Sequence, residues 1–235
     1  MLTDSLAYLT RSDEMWKTSI IGGLMLLFGF LLFPLFLVWG YVVRVLERTT
    51  HGDDEAPRFE DWGEMLIDGA KATVILLAYS LVPIVVGGVL AGIATLVAGG
   101  SVDSIGAAAA AVTGLVTFAT VLVVAYAVPA AITNFAVEGR LAAGLDVGAI
   151  RPILASGTYA VAWLLALAIV VAGSLVTGAL NAIPFVGVVL GAIVAFYALV
   201  AAYHAIGHAW FDLNPVPLEE MGNDEGDAST ERPAI

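Results

Sequence analysis

The sequence predicts an all-α polytopic membrane bundle, and three observations carry that prediction. Hydrophobic residues make up 60% of the 235 and charged residues only 13%, whereas soluble domains run nearer half apolar and a quarter charged. Four charge-free runs, residues 18–43, 72–102, 104–137 and 152–203, cover most of the chain. Each exceeds the roughly 20 apolar residues with which an α-helix crosses about 30 Å of hydrocarbon, and the last is long enough for two crossings. The expectation is about five transmembrane helices with short interfacial amphipathic helices, forming one transmembrane domain over 1–212 and a tail over 213–235.

Residues 2–16 open the chain with Leu2, Leu6, Leu9, Met15 and Trp16 on an imperfect helical stripe, which reads as an interfacial helix ending at Trp16 and Lys17. Asp4, Arg11, Asp13 and Glu14 argue against a signal peptide, as does the length of the apolar run that follows. The first span is expected over 18–43 and bent near mid-membrane at Pro34, which lacks an N–H and clashes with the preceding turn. An acidic turn, His51-Gly52-Asp53-Asp54-Glu55-Ala56-Pro57, then leads to an amphipathic surface piece bearing Phe59, Trp62, Met65, Leu66 and Ile67. Further spans follow over 72–97 and 105–132, joined by a Gly-rich turn, with Pro83 and Pro129 inside or near their ends. After a polar loop over 138–151 come spans 158–180 and 184–210. From Asn214 onward the chain is acidic and rich in Pro, Gly and Ser, a composition expected to form a disordered cytoplasmic tail.

Charge excludes some functions. Nine Lys and Arg against 21 Asp and Glu leave a net charge of −12, so a nucleic-acid partner, which requires a basic face, is not expected. Absence of Cys removes disulfides, thiolate metal sites and a cysteine nucleophile. With five spans, Arg44, Arg48, Arg58, Lys71, Arg140, Arg151 and Arg232 share one side and only Arg11 and Lys17 the other. The positive-inside rule then makes the C-terminal side cytoplasmic and the N-terminus external. The alternative is a re-entrant first segment broken at Pro34.

An internal repeat is suggested by the alignment of Met65–Leu77 with Ile153–Leu165, which matches at Leu66/Leu154, Gly69/Gly157, Ala72/Ala160, Leu76/Leu164 and Leu77/Leu165. Five matches in a Leu-, Ala- and Gly-rich background also arise by chance, so a helix-pair repeat is one of two readings.

Pro34 to Arg44 with Gly40-Tyr41, Phe59-x-Asp61-Trp62 followed by Asp68-Gly69, Pro129-Ala130-Ala131 leading to Glu138-Gly139-Arg140, and Tyr203-x-x-x-Gly207 together resemble a family of uncharacterised multi-pass membrane proteins common in halophilic archaea, a domain of unknown function. The resemblance runs to about Asp212. It implies a membrane location and a helical bundle, and it implies no activity.

Few residues suggest chemistry. His204, His208 and Asp212 recur at i, i+4 and i+8, which puts two imidazoles and a carboxylate on one helix face, a donor set that suits Zn²⁺. The metalloprotease pattern needs Glu directly after the first His, and Ala205 stands there. Anchoring of a helix end by polar and aromatic residues is the plainer reading, so no cofactor is expected. Arg44, Glu47, Asn134, Glu138 and Arg140 are expected to make polar contacts between helix ends. Pro34, Pro83 and Pro129 are candidate hinges. Proton- and ion-coupled transporters commonly keep ionisable residues inside their spans, and none lies inside these. The expectation is a non-enzymatic membrane scaffold or partner-binding component, in contact with lipid and with a membrane or cytoplasmic protein, and free to self-associate through its many small residues. The alternative is a permease or channel for a small neutral or amphiphilic solute.

Overall fold

A computed structural model describes residues 5, 6, 8, 15–31, 33–53, 55–98 and 104–214. The described residues hold seven helices and no strand: α1 (Met15–Leu27), α2 (Phe33–Thr50), α3 (Trp62–Ala98), α4 (Ser104–Glu138), α5 (Val147–Leu154), α6 (Gly157–Leu180) and α7 (Val186–Leu213), with 3-10 turns at Gly29–Leu31 and Ala143–Leu145. The expected tail and most of the expected N-terminal interfacial helix lie outside the described residues.

The helical membrane class holds, and among the described residues four helices have the length and apolarity of a span, with a shorter apolar helix ahead of them. Trp62–Ala98, Ile105–Glu138, Gly157–Leu180 and Val186–Leu213 are each long and apolar enough to cross a bilayer. The first apolar run is instead split into α1 and α2. Gly23 stands against Ile193 of α7, and Tyr41 packs on Phe196 of the same helix, less than one turn away. A straight helix would separate residues 23 and 41 by about 27 Å, so the chain doubles back between them. The break falls at Gly29–Leu31, ahead of the proline: Pro34 sits in the first turn of α2, where its missing N–H is unpaired in any helix. The doubled-back path matches the re-entrant alternative rather than one straight helix over 18–43. Trp16, Ile20, Leu24 and Phe28 line the outer face of this hairpin. On the other face, a Cβ added to Gly22 would overlap the Phe196 ring.

α3 and α4 form one antiparallel hairpin, with Lys71 over Phe135 near one end and Gly87 against Thr117 further along. α6 and α7 form a second, in which Gly173 meets Ala198 and Gly187 meets the Leu180 carbonyl. Contrary to expectation, the amphipathic piece around Phe59–Ile67 is no separate surface helix. From Trp62 it is the first part of the 37-residue α3. The loop after α4 contains structure that the charge pattern did not announce: Asp146 caps α5 by accepting from the Ala149 N–H at 3.1 Å, and Ser156 caps α6 by accepting from Tyr159 at 3.1 Å. α3 and α4 continue through Pro83 and Pro129.

Burial is concentrated where α2 crosses the hairpins. Val42, Leu46, Ala72, Ile75, Ile132, Phe135, Ile150, Tyr159 and Ile206 form one cluster, and Leu37, Tyr41, Met65, Phe196 and Val200 another. The closest crossing is between α2 and α3: a Cβ on Gly69 would overlap the Phe36 carbonyl, and one on Gly40 the Met65 carbonyl. Glycine at both positions lets the two backbones touch. The positions paired by the suggested repeat differ in surroundings, since Gly69 sits in this crossing and Gly157 has open space around its Cα. Beyond the core the hairpins turn apolar side chains outward, among them Leu81, Val85, Ile93, Leu115 and Phe118, as spans facing hydrocarbon do.

Candidate functional site

One large cavity is polar. It measures about 730 Å³ and opens where α2 ends, the 51–61 loop folds over and α3 begins. Arg44, Glu47 and Arg48 reach it from α2, where spacings of three and four residues place them on one helix face, and His51 from the turn that follows. Asp53, Glu55, Arg58, Glu60 and Asp61 come from the loop, and Glu64 from the first turn of α3.

The loop is held at several points. Gly52 takes a left-handed φ of +78° that starts the turn, and the Glu55 N–H donates to Asp53 Oδ1 at 2.9 Å. Tyr41 donates to the Pro57 carbonyl at 3.0 Å and stacks on Phe59 with ring centroids 4.5 Å apart. Burial pushes the Tyr41 phenol up from its ordinary range, so it remains a donor. Asp61 carries a φ of +48°, a conformation in which Asp is several-fold enriched. Arg44 fixes that turn by donating to the Glu60 carbonyl at 2.5 Å, to the Asp61 carbonyl at 3.2 Å and to Glu64 Oε2 at 3.5 Å. Arg48 faces Asp53 at 3.5 Å.

A second cavity, about 310 Å³, shares Arg44, Glu47 and Glu64 with the first and adds Asp68, Lys71 and Phe135. Lys71 pairs with Asp68 at 2.9 Å. The two together make a mouth of mixed charge, lined by carboxylates, by the Arg44 guanidinium bonded to backbone oxygens and by the Arg48 guanidinium facing Asp53. Such a surface binds by charge and hydrogen bonding.

The expected polar contacts are placed as follows. Arg44 and Glu47 share the mouth. Glu138 and Arg140 pair with each other and are not joined to Arg44 or Glu47. Asn134 donates to the Ala143 carbonyl at 2.9 Å, which ties the end of α4 to its own loop. His204 is buried, its ring 4.0 Å from that of Tyr8 and its Nδ1 3.2 Å from Ser5 Oγ. The His208 ring lies 6.1 Å from it. Among the described residues no three His, Cys, Asp or Glu side chains gather as a metal would need, so His204, His208 and Asp212 do not form a ligand set. The sequence marks Arg48 and Arg58 only as positive charges on one side of the membrane, and Glu60 and Glu64 not at all. The periodicity of Arg44, Glu47, Arg48 and His51 was the available signal.

A family model described as "Protein of unknown function (DUF4013)" matches residues 23–182. No curated protein and no solved structure matches the chain.

Proposed function

Since the chain belongs to the DUF4013 family of unknown function, we propose from its own geometry that it is a non-enzymatic membrane scaffold whose polar mouth receives a segment of a partner protein. The observation that carries this reading is the separation of polarity: the stretches of the spans that face hydrocarbon hold no charged side chain, while eleven mostly charged residues converge on a single cavity. An ion-coupled carrier needs charge at membrane depth, and a docking surface needs it at the rim.

Orientation follows from the doubled-back first segment. With four crossings, both chain ends share a side, and Arg11 and Lys17 join the other seven Lys and Arg residues there. The turns after α3 and α6 hold none. Under the positive-inside rule the mouth and the C-terminus are cytoplasmic. The test is a photo-crosslinking residue at Glu60 in the mouth, compared with one at Val85 on the outer face of α3, in native membranes. A discrete protein adduct at Glu60 and none at Val85 is expected; no adduct at Glu60 removes the reading.

The second reading is a permease for a small neutral or amphiphilic solute, favoured by the discontinuous α1–α2 segment, since broken helices supply backbone groups to transport sites. Solute flux through liposomes that depends on the intact hairpin would select it over the scaffold.

A further inference from the structure

We propose that the α6–α7 hairpin carries a binding groove for lipid acyl chains, independent of the polar mouth. Two cavities meet at Val170. One, about 200 Å³, is walled by Ala125 and Pro129 of α4, Trp163 and Ala166 of α6, and Ala202 and Tyr203 of α7. The other, about 310 Å³, continues along Ser174, Thr177 and Gly178 to Asn181 at the far end of α6. From Trp163 to Asn181 the helix rises about 27 Å, close to the roughly 30 Å of a hydrocarbon core, so the groove passes through both leaflets and takes a chain from each.

Three observations identify the occupant. First, the groove is continuous with the surface that the spans present to lipid: its rim residues Leu167 and Val170 are exposed, as are their neighbours Leu164 and Val171 on the same helix. Second, three polar groups along its wall are already bonded to backbone. Ser174 donates to the Val170 carbonyl at 2.7 Å, Thr177 to the Gly191 carbonyl at 3.1 Å and the Trp163 indole to the Ala125 carbonyl at 3.0 Å. The wall therefore offers dispersion contact, which suits methylene groups. Third, the cavities are small, about 200 and 310 Å³. Small residues make the trough, and Gly173 lies so close to Ala198 that the two helices touch at its floor. A helix of about 10–12 Å diameter does not enter such a space, whereas a single hydrocarbon chain does.

The test is native mass spectrometry of the full chain, delipidated in detergent and titrated with phosphatidylcholine or phosphatidylglycerol bearing the same chains. Ala125→Leu and Gly178→Leu fill opposite ends of the groove. Ala125 is exposed and a Cβ at Gly178 meets open space, so both variants are expected to keep the wild-type melting temperature. Val85→Leu on the far hairpin is the control. The wild type and the control should hold both lipids with similar affinity, and each groove variant should weaken both by at least tenfold. Equal affinity in all four proteins would overturn the proposal. So would binding of only one headgroup, which marks a headgroup site, or a second copy of the chain in place of lipid. A groove variant that melts early is replaced by Ser174→Leu, judged by the same readout.

Discussion

At the scale of single residues, two glycines and one arginine set the shape of the polar end. Gly40 and Gly69 sit where α2 and α3 cross with their backbones in contact, and the atom nearest each is a backbone carbonyl oxygen of the other helix, which cannot yield as a side chain does. Gly69→Ala is expected to destabilise by about 1–3 kcal/mol or more, as overpacking a rigid site does. Gly157→Ala, in open space, should stay within about 0.5 kcal/mol of wild type; thermal unfolding in detergent separates the two. Arg44 makes three contacts with the 60–64 segment from a largely buried side chain. Replacing it with Ala leaves two carbonyls without their donor, a loss of about 1–3 kcal/mol confined to the loop. Amide exchange should rise at residues 58–64 and remain unchanged in α6. Lys at position 44 should not rescue the loop, because one ammonium lacks the fork that reaches neighbouring carbonyls together.

At the scale of elements, the α1–α2 hairpin changes the topology. The chain contains no Cys, so single cysteines report sidedness without background. Cysteine at Trp16 and at Glu55 should be labelled from the same face of the membrane, and cysteine at Phe185, which is highly exposed in the α6–α7 turn, from the opposite face. Labelling of Trp16 and Phe185 from one face would restore a spanning first helix. The four long helices were legible because length and apolarity alone define a span. The reversal was not legible: 18–43 has the composition of one crossing, and the break goes with Gly22 and Gly23 seating against Phe196 and Ile193 of α7, far along the chain. Proline misled for a local reason. A ring that distorts a helix interior is harmless in the first turn, and only the structure shows which of these Pro34 occupies. The first turns of α3 were read as a surface piece because charge at Glu64, Asp68 and Lys71 interrupts the apolar pattern, although the backbone continues through them.

At the scale of the whole molecule, charge is sorted by side. In the proposed four-crossing topology all nine Lys and Arg positions fall on the side of the mouth, so the proposed orientation rests on a strong asymmetry. Placing two lysines in the α6–α7 turn, at Asn181 and Ala182, should oppose it and lower the fraction inserted correctly, as read by protease protection of that turn. The candidate site was legible only in outline. Sequence locates charge in loops, and Arg44 and Glu47 were recognisable as contact residues. Their convergence with Arg58, Glu60 and Glu64 depends on a loop closing over the end of α2 through Tyr41 and Phe59, which helical spacing does not encode. The pairing of Glu138 with Arg140 shows the converse, since two charges two residues apart satisfied each other locally and needed no distant partner.

The pairing of long helices into hairpins also bears on how the protein is made. Each hairpin delivers to the far side only a short turn, with no charge between α6 and α7 and only Asp103 between α3 and α4. In the proposed topology the α1–α2 segment delivers nothing, because it returns to the side from which it enters. Between the four spans the insertion machinery then has only these two turns to export, and the charged mouth stays on the side from which the hairpins enter.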